Sequence, residues 1–237
     1  MLKLKDYIVY EDEHIIAINK PAHLASLHER HDSGQEAVVS LVKALNPNYK
    51  LCHRLDRETS GVMLVAKDDE TYKSVAKQFE QRSIKKNYHA VVSTAVQLDH
   101  LVVDLPLMTD NKRRVLISKK HGKPSLTIFN TLKCFKHFTL LQCEPQTGRL
   151  HQIRIHAASQ NLPLVADELY GGKMAYLSQI KKVSKSDEIE KPLINRFALH
   201  AFQITFTGQN GEAISIQAPY PKDFEVFIKL LNKYDQA

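Results

Sequence analysis

The sequence predicts one composite α+β domain, and three observations carry that expectation. Short β-rich segments recur along nearly the whole chain, only a few stretches space apolar residues helically, and no Gly/Ser linker, low-complexity tract or repeat divides it. At 237 residues, 43% of them apolar and 25% charged, the chain can bury a core and has the composition of a globular protein, not a disordered or fibrous one. A single domain over residues 1–237 is expected.

Tyr7 to Asn19 reads as strand, acidic turn (Glu11-Asp12-Glu13) and strand, so a hairpin opens the chain. Ser33 and Glu36 have capping-box spacing ahead of a helical apolar face of Val38, Leu41, Val42 and Leu45, which Asn46-Pro47 ends. A polar loop, His53 to Gly61, then enters a buried-looking strand at Val62 to Ala66. Asp68 or Asp69 caps a helix carrying Val75, Ala76 and Phe79, and a strand follows at Tyr88 to Val92. Further strands are expected at Arg114 to Ser118, Leu126 to Leu132 and Phe138 to Cys143, with a turn at His121-Gly122. A helix is expected to start from the Thr147-Gly148 turn near Arg149 and run to Ala158, before a short strand at Pro163 to Ala166. Lys173 to Pro192 mixes both charges and reads as a solvated connection. Strands at Leu199 to Phe206 and Ala213 to Ala218 precede a closing helix with Phe224, Phe227, Ile228 and Leu231 on one face.

Lys and Arg outnumber Asp and Glu by 33 to 26, giving +7 with neutral histidines, which fits either a polyanionic partner or simple solubility. The longest apolar runs, such as Ile15 to Ile18, fall far short of the roughly 20 residues that span a bilayer, so no membrane partner is expected. No secretory h-region is evident and three cysteines form no paired framework, which suits a reducing cytoplasm. Twelve histidines show no CxxC, HxxxH or HExxH spacing, so no metal site is expected. His151 and His156 stand about 140° apart on a helix, too far around to share one metal.

On a helical wheel from Leu150, Arg154 falls at the centre of an arc formed by Leu150, Ile153, Ile155, Ala157 and Ala158. A buried guanidinium there requires a carboxylate or an anionic ligand, unless the side chain snorkels to water. In the polar loop, Asp56 either caps an Asx-turn or, beside a cation, serves as nucleophile or base. Lys112, Arg113, Arg114, Lys119, Lys120 and Lys123 cluster with no acid among them from Asn111 onward, which suits phosphate contacts or a solvated sheet edge. Tyr88 is a stacking surface for a base or a core residue.

Together these segments resemble the RluA-type pseudouridine synthases. His53-Arg54-Leu55-Asp56 with Thr59-Ser60-Gly61 is similar to that family's HRLDxxTSG loop, and Thr147-Gly148-Arg149 through His156 to its TGRxHQIRxH motif. Lys86 to Ala90 resembles the K-x-Y-x-A strand, Asn19-Lys20-Pro21 the KP element, Asp167 to Gly171 the DxxYG element, and Leu199-His200-Ala201 with Ala218 to Pro221 the closing pair. The resemblance spans about Tyr7 to Leu231. It implies a long, bent, mixed but mostly antiparallel sheet with flanking helices and a central catalytic cleft. It also implies isomerisation of uridine in ribosomal or transfer RNA, with no cofactor.

By the same resemblance Asp56 is the essential carboxylate, as nucleophile at C1′ or base at C2′; Arg154 is its salt-bridge partner, and Tyr88 stacks on the target base. Arg54 would fill the stack vacated by the flipped uridine, and the basic run from Lys112 to Lys123 would bind RNA. His23, Leu150 and Ala166 depart from the family pattern, where glycine, threonine and glycine are common. With the KP element at residue 19 onward, the chain reads as a stand-alone catalytic domain without an S4-like RNA-binding domain, a monomer needing no protein partner. The rival readings are a non-catalytic RNA-binding module or RNA chaperone on the same scaffold, and a glycoside-type hydrolase whose second acid would have to be Glu58.

Overall fold

A computed structural model describes residues 2–28, 36–110, 114–181 and 189–236. The chain forms two compact units, Met1–Asn87 with His200–Pro219 and Tyr88–Leu199 with Tyr220–Ala237, so it passes through each unit twice.

The first unit opens on the expected hairpin, β1 (Ile8–Glu11) and β2 (Ile15–Lys20), paired antiparallel. Asp12 makes the turn: its carboxylate accepts the backbone N–H groups of His14 and Ile15 at 2.8 and 2.6 Å. Helix α1 (Val38–Leu45) buries Val38, Leu41 and Val42. Ala37, not Ser33, occupies its cap position and makes no side-chain bond; Ser33 of the expected capping box lies outside the described residues. Strand β3 (Lys50–Leu51) and strand β2 flank β4 (Ser60–Ala66), both antiparallel. Strand β4 is buried along its whole length, so both of its faces are covered as well as both of its edges. Asp68 caps α2 (Asp69–Glu80) by accepting from Thr71 N–H at 2.7 Å.

The second unit starts within β5 (Lys85–Val92), whose residues from Tyr88 onward pair antiparallel with β10 (Thr139–Pro145). Strand β10 pairs β9 (Leu126–Cys134), and β9 pairs β6 (Leu101–Asp104). Strands β7 (Leu107–Thr109) and β8 (Val115–Ile117) form a separate hairpin. Helix α3 (Gln152–Ser159) begins later than expected, because His151 takes a left-handed backbone (φ 53°) that no α-helix continues through. The segment Pro163 to Ala166 gives only an isolated bridge, Leu164 with Val92. Lys173 to Pro192 contains one short 3-10 turn among its described residues.

Returning to the first unit, β11 (Leu199–Thr207) runs parallel to β4 at His200 and Ala201, and β12 (Ala213–Gln217) pairs it antiparallel. Helix α4 (Lys222–Tyr234) closes the second unit on Phe224, Phe227 and Leu231, all fully buried. The fold is therefore α+β, with a mixed, mostly antiparallel pairing pattern as expected.

Gly61 shows how tightly β4 and β11 approach. Its φ is +119°, and a Cβ there would lie 2.2 Å from the Ala201 carbonyl oxygen. Gly61→Ala is expected to destabilise by about 3 kcal/mol, from backbone strain and the clash together. A shift in the urea unfolding midpoint at unchanged slope measures it.

Candidate active site

In the first unit the chain leaves β3 at Leu51 and re-enters regular structure at Ser60; between them lies the polar loop. Cys52 N–H still bonds Leu64 O at 2.9 Å, and His53 Nε2 accepts Leu64 N–H at 3.0 Å, so the loop starts as a continuation of the sheet edge. Beyond it, Arg54 is exposed, Leu55 buried and Asp56 half-buried. The turn back is made by Thr59 N–H on the Asp56 carbonyl at 3.1 Å, a backbone bond.

Lys20 is fully buried at the end of β2, and its Nζ donates to the carbonyls of Pro21 (2.8 Å), Leu24 (2.9 Å) and Arg57 (3.0 Å). A buried ammonium is tolerable when every proton meets an acceptor. Here it ties the KP element to the polar loop. His200 does the same for the strand: Nδ1 meets Ser60 Oγ at 2.9 Å and Nε2 meets Ala218 O at 3.0 Å, while Asn19 Nδ2 donates to Pro219 O at 2.9 Å. These contacts give Asn19 and Lys20 of the KP element and His200 of the closing pair each a structural role.

His53 is neutral. Burial, with the nearby Lys86 ammonium adding to it, pulls its pKa down to about 3, and its Nε2 lone pair is already engaged as an acceptor. The unfolded chain takes up this proton near pH 6.5 while the folded chain resists to about 3, so the unfolded state binds more protons and stability falls as pH drops through that interval. Replacing His53 with Gln, which keeps an acceptor, is expected to flatten the fall in melting temperature between pH 7 and 4. Burial also pulls Lys86 down to about 8 and pushes the Cys52 thiol up to about 12, so Cys52 is no thiolate nucleophile.

In the second unit, α3 is buried on nearly every side: Gln152, Ile153, Arg154, Ile155, His156 and Ala157 are all buried. The apolar arc expected from Leu150 onward does not exist as such, since Leu150 precedes the helix. Its polar members are satisfied individually. Gln152 Oε1 accepts from Thr147 Oγ1 at 2.6 Å and from Arg149 N–H at 3.0 Å, while its Nε2 donates to Leu126 O at 2.9 Å. His156 bridges Thr127 Oγ1 and Leu105 O, at 2.9 and 3.0 Å. His151 Nδ1 meets Tyr170 OH at 3.0 Å. Both histidines are hydrogen-bonding groups.

Arg154 is 6% exposed, which settles the snorkelling alternative. Asp167 grips it bidentately, Nε to Oδ2 at 2.7 Å and Nη2 to Oδ1 at 2.6 Å, and its guanidinium carbon lies 4.1 Å from the Phe197 ring centre and 5.0 Å from that of Tyr170. The DxxYG element thus supplies the carboxylate and one of two aromatic faces. Asp167 is the carboxylate partner of Arg154 that the sequence did not single out, although the element carrying it was visible. Tyr88 is half-buried against the cluster of Ala90, Phe129 and Ile153, so it is neither wholly core nor a free platform.

Of the basic run, Lys119, Lys120 and Lys123 are exposed. Arg114 is also exposed, but Asp110 pairs with it through Nε and Nη2, both at 2.8 Å, which offsets its charge. Lys112 and Arg113 lie outside the described residues. Among the described residues no group of three or more His, Cys, Asp or Glu could hold a metal ion, and no helix is long and apolar enough to cross a membrane.

His23 and Ala166, two of the departures from the family pattern, both have left-handed backbones, at φ 65° and 60°. This is a conformation that glycine adopts freely and other residues adopt at a cost.

The RNA pseudouridylate synthase family matches residues 14–159. The chain is 33% identical to ribosomal large subunit pseudouridine synthase D of Neisseria meningitidis serogroup B, over 94% of this chain and 60% of the relative. It is 37% identical to ribosomal large subunit pseudouridine synthase C of Buchnera aphidicola, over 96% and 71%, and 35% identical to that of Escherichia coli K12, over 91% and 67%. The chain thus spans about three fifths to seven tenths of the length of these relatives. Two human proteins share the fold: RNA pseudouridylate synthase domain containing 4, at TM-score 0.75, 23% identity and coverage of 97% and 94%, and domain containing 1, at 0.68, 23%, 91% and 83%. The family match covers more than half the chain and includes both the Asp56 loop and α3, so this chain belongs to the RNA pseudouridylate synthase family, whose members are isomerases acting on RNA.

Proposed function

We propose that this chain converts uridine to pseudouridine in large-subunit ribosomal RNA, residues 1–237 serving as one catalytic unit. The single observation that carries the reading is the Asp56 loop, a half-buried carboxylate in a turn fixed from its backbone by Lys20 and bordered by the buried strand β4. Curated relatives at 33–37% identity are ribosomal large subunit synthases, which favours ribosomal over transfer RNA.

In the reaction the N1–C1′ glycosidic bond breaks, the base turns, C5 bonds to C1′, the C5 proton leaves to solvent and N1 takes up a proton in its place. Asp56 is the proposed carboxylate and Arg154, already oriented by Asp167, the cation that serves it. Tyr88 is the stacking face for the flipped base, and exposed Arg54 fills the space it vacates. The exposed Lys119, Lys120 and Arg114 supply phosphate contacts, and Lys112 and Arg113, outside the described residues, are assigned the same role from the sequence. The site needs no metal or organic cofactor for this chemistry, and a cytoplasmic monomer is the form in which we place it. A non-catalytic RNA-binding module would show the same salt-dependent affinity but release no tritium from RNA labelled at uridine C5. Release from ribosomal but not transfer RNA supports the proposal; binding without release from either contradicts it.

A further inference from the structure

We infer that Ser26 is a positioning residue for Asp56, an inference that rests on the function proposed above. Ser26 is 5% exposed and Leu55 7%. The Ser26 hydroxyl donates to Leu55 O at 2.7 Å and accepts Leu55 N–H at 3.0 Å, so one side chain holds both polar groups of the residue before Asp56. Leu55 C=O and Asp56 N belong to one planar peptide, so fixing the carbonyl fixes the plane from which the Asp56 Cα and side chain project.

The need for such a clamp is local. Ladder pairing of the loop stops at the Cys52 to Leu64 bond, and from Leu55 to Thr59 the chain has no strand partner. Ser26 replaces the missing ladder with a hydroxyl. It is itself anchored, because Val39 N–H bonds Ser26 O at 3.1 Å and Ala25 pairs with Ala37 at the head of α1.

The residue after Asp56 is gripped from the same segment. Lys20 Nζ holds Arg57 O at 3.0 Å, Arg57 Nε donates to His23 O at 3.3 Å, and His23 Nδ1 meets Glu58 Oε2 at 2.5 Å. Residues 20–26 therefore bracket Asp56 on both sides through its neighbours' backbone and side chains. The left-handed turn at His23 brings Lys20 and Ser26 of this one short segment to bear on the same loop. Misplacement of a reacting group by about 1 Å costs on the order of 100-fold in rate, so a loosened peptide plane here is read out in the chemical step.

The test is the single-turnover rate of tritium release at saturating enzyme, together with RNA affinity and melting temperature, for wild type, Ser26→Ala and Ser26→Cys. Alanine removes the hydroxyl; cysteine preserves the shape but hydrogen-bonds weakly. Both are expected to lose about tenfold or more in single-turnover rate per folded molecule, with RNA affinity within about twofold of wild type. A folded variant of either kind with the wild-type rate overturns the inference, and so does an active cysteine variant beside an inactive alanine one, since shape would then be what matters. If alanine fails to fold, the cysteine rate decides. Wild type that releases no tritium defeats the proposed function instead, whereas wild-type activity matched by both variants defeats only the role of Ser26.

Discussion

Asp56→Asn is expected to lower tritium release from 5-labelled uridine RNA by at least about 1000-fold, to background, while RNA affinity and melting temperature stay near wild type. The amide matches the carboxylate in size but is neither nucleophile nor base. Three contacts that shape the loop bypass this carboxylate: Ser26 binds Leu55, Lys20 binds Arg57 O, and Thr59 N–H binds the Asp56 backbone oxygen. Loss of activity with the fold intact thus separates chemistry from architecture. If affinity falls together with activity, Asp56 is an RNA contact and not the reacting group.

The second large effect is structural. Asp167→Ala leaves Arg154 with its bidentate partner removed at a site only 6% exposed, and is expected to destabilise by about 3–5 kcal/mol. For a chain of this size that corresponds to roughly 10 °C in melting temperature. A double substitution, Asp167→Ala with Arg154→Met, should recover part of the loss because the guanidinium that lost its bidentate carboxylate is then removed as well. Additive losses in the double variant would mean the pair is not coupled, and the account of α3 would be wrong.

The apolar pattern made several elements legible. Strand β4 and helices α2 and α4 were readable because burial decides both their composition and their placement, and Asp68 caps α2 through a bond between neighbours in sequence. The start of α3 was not readable, since the left-handed His151 is stabilised by context, including its bond to Tyr170, and not by a glycine signal. The capping-box pattern at Ser33 and Glu36 promised a side-chain cap, yet α1 starts from Ala37, and Val38 N–H bonds Ala25 O at 2.9 Å instead. Tertiary pairing there does what a cap would have done.

The candidate site divides the same way. Arg154 announced a need for an anion by its position among apolar residues, and the structure meets that need with Asp167, thirteen residues on. Lys20 and Ser26 gave no comparable signal. Their partners are the backbone groups of Arg57 and Leu55, and a backbone acceptor leaves no mark in side-chain chemistry. Arg114 looked like an unopposed cation because the acid that neutralises it, Asp110, stands one residue before the basic run.

The central claim is that this chain makes pseudouridine in large-subunit ribosomal RNA through Asp56. Pseudouridines mapped across total RNA from cells lacking the gene, and from the same cells restored with wild type or with Asp56→Asn, test it most directly. The expected result is that one or more large-subunit pseudouridines vanish on deletion, return with wild type and stay absent with Asp56→Asn. An unchanged map, or full restoration by Asp56→Asn, would contradict it.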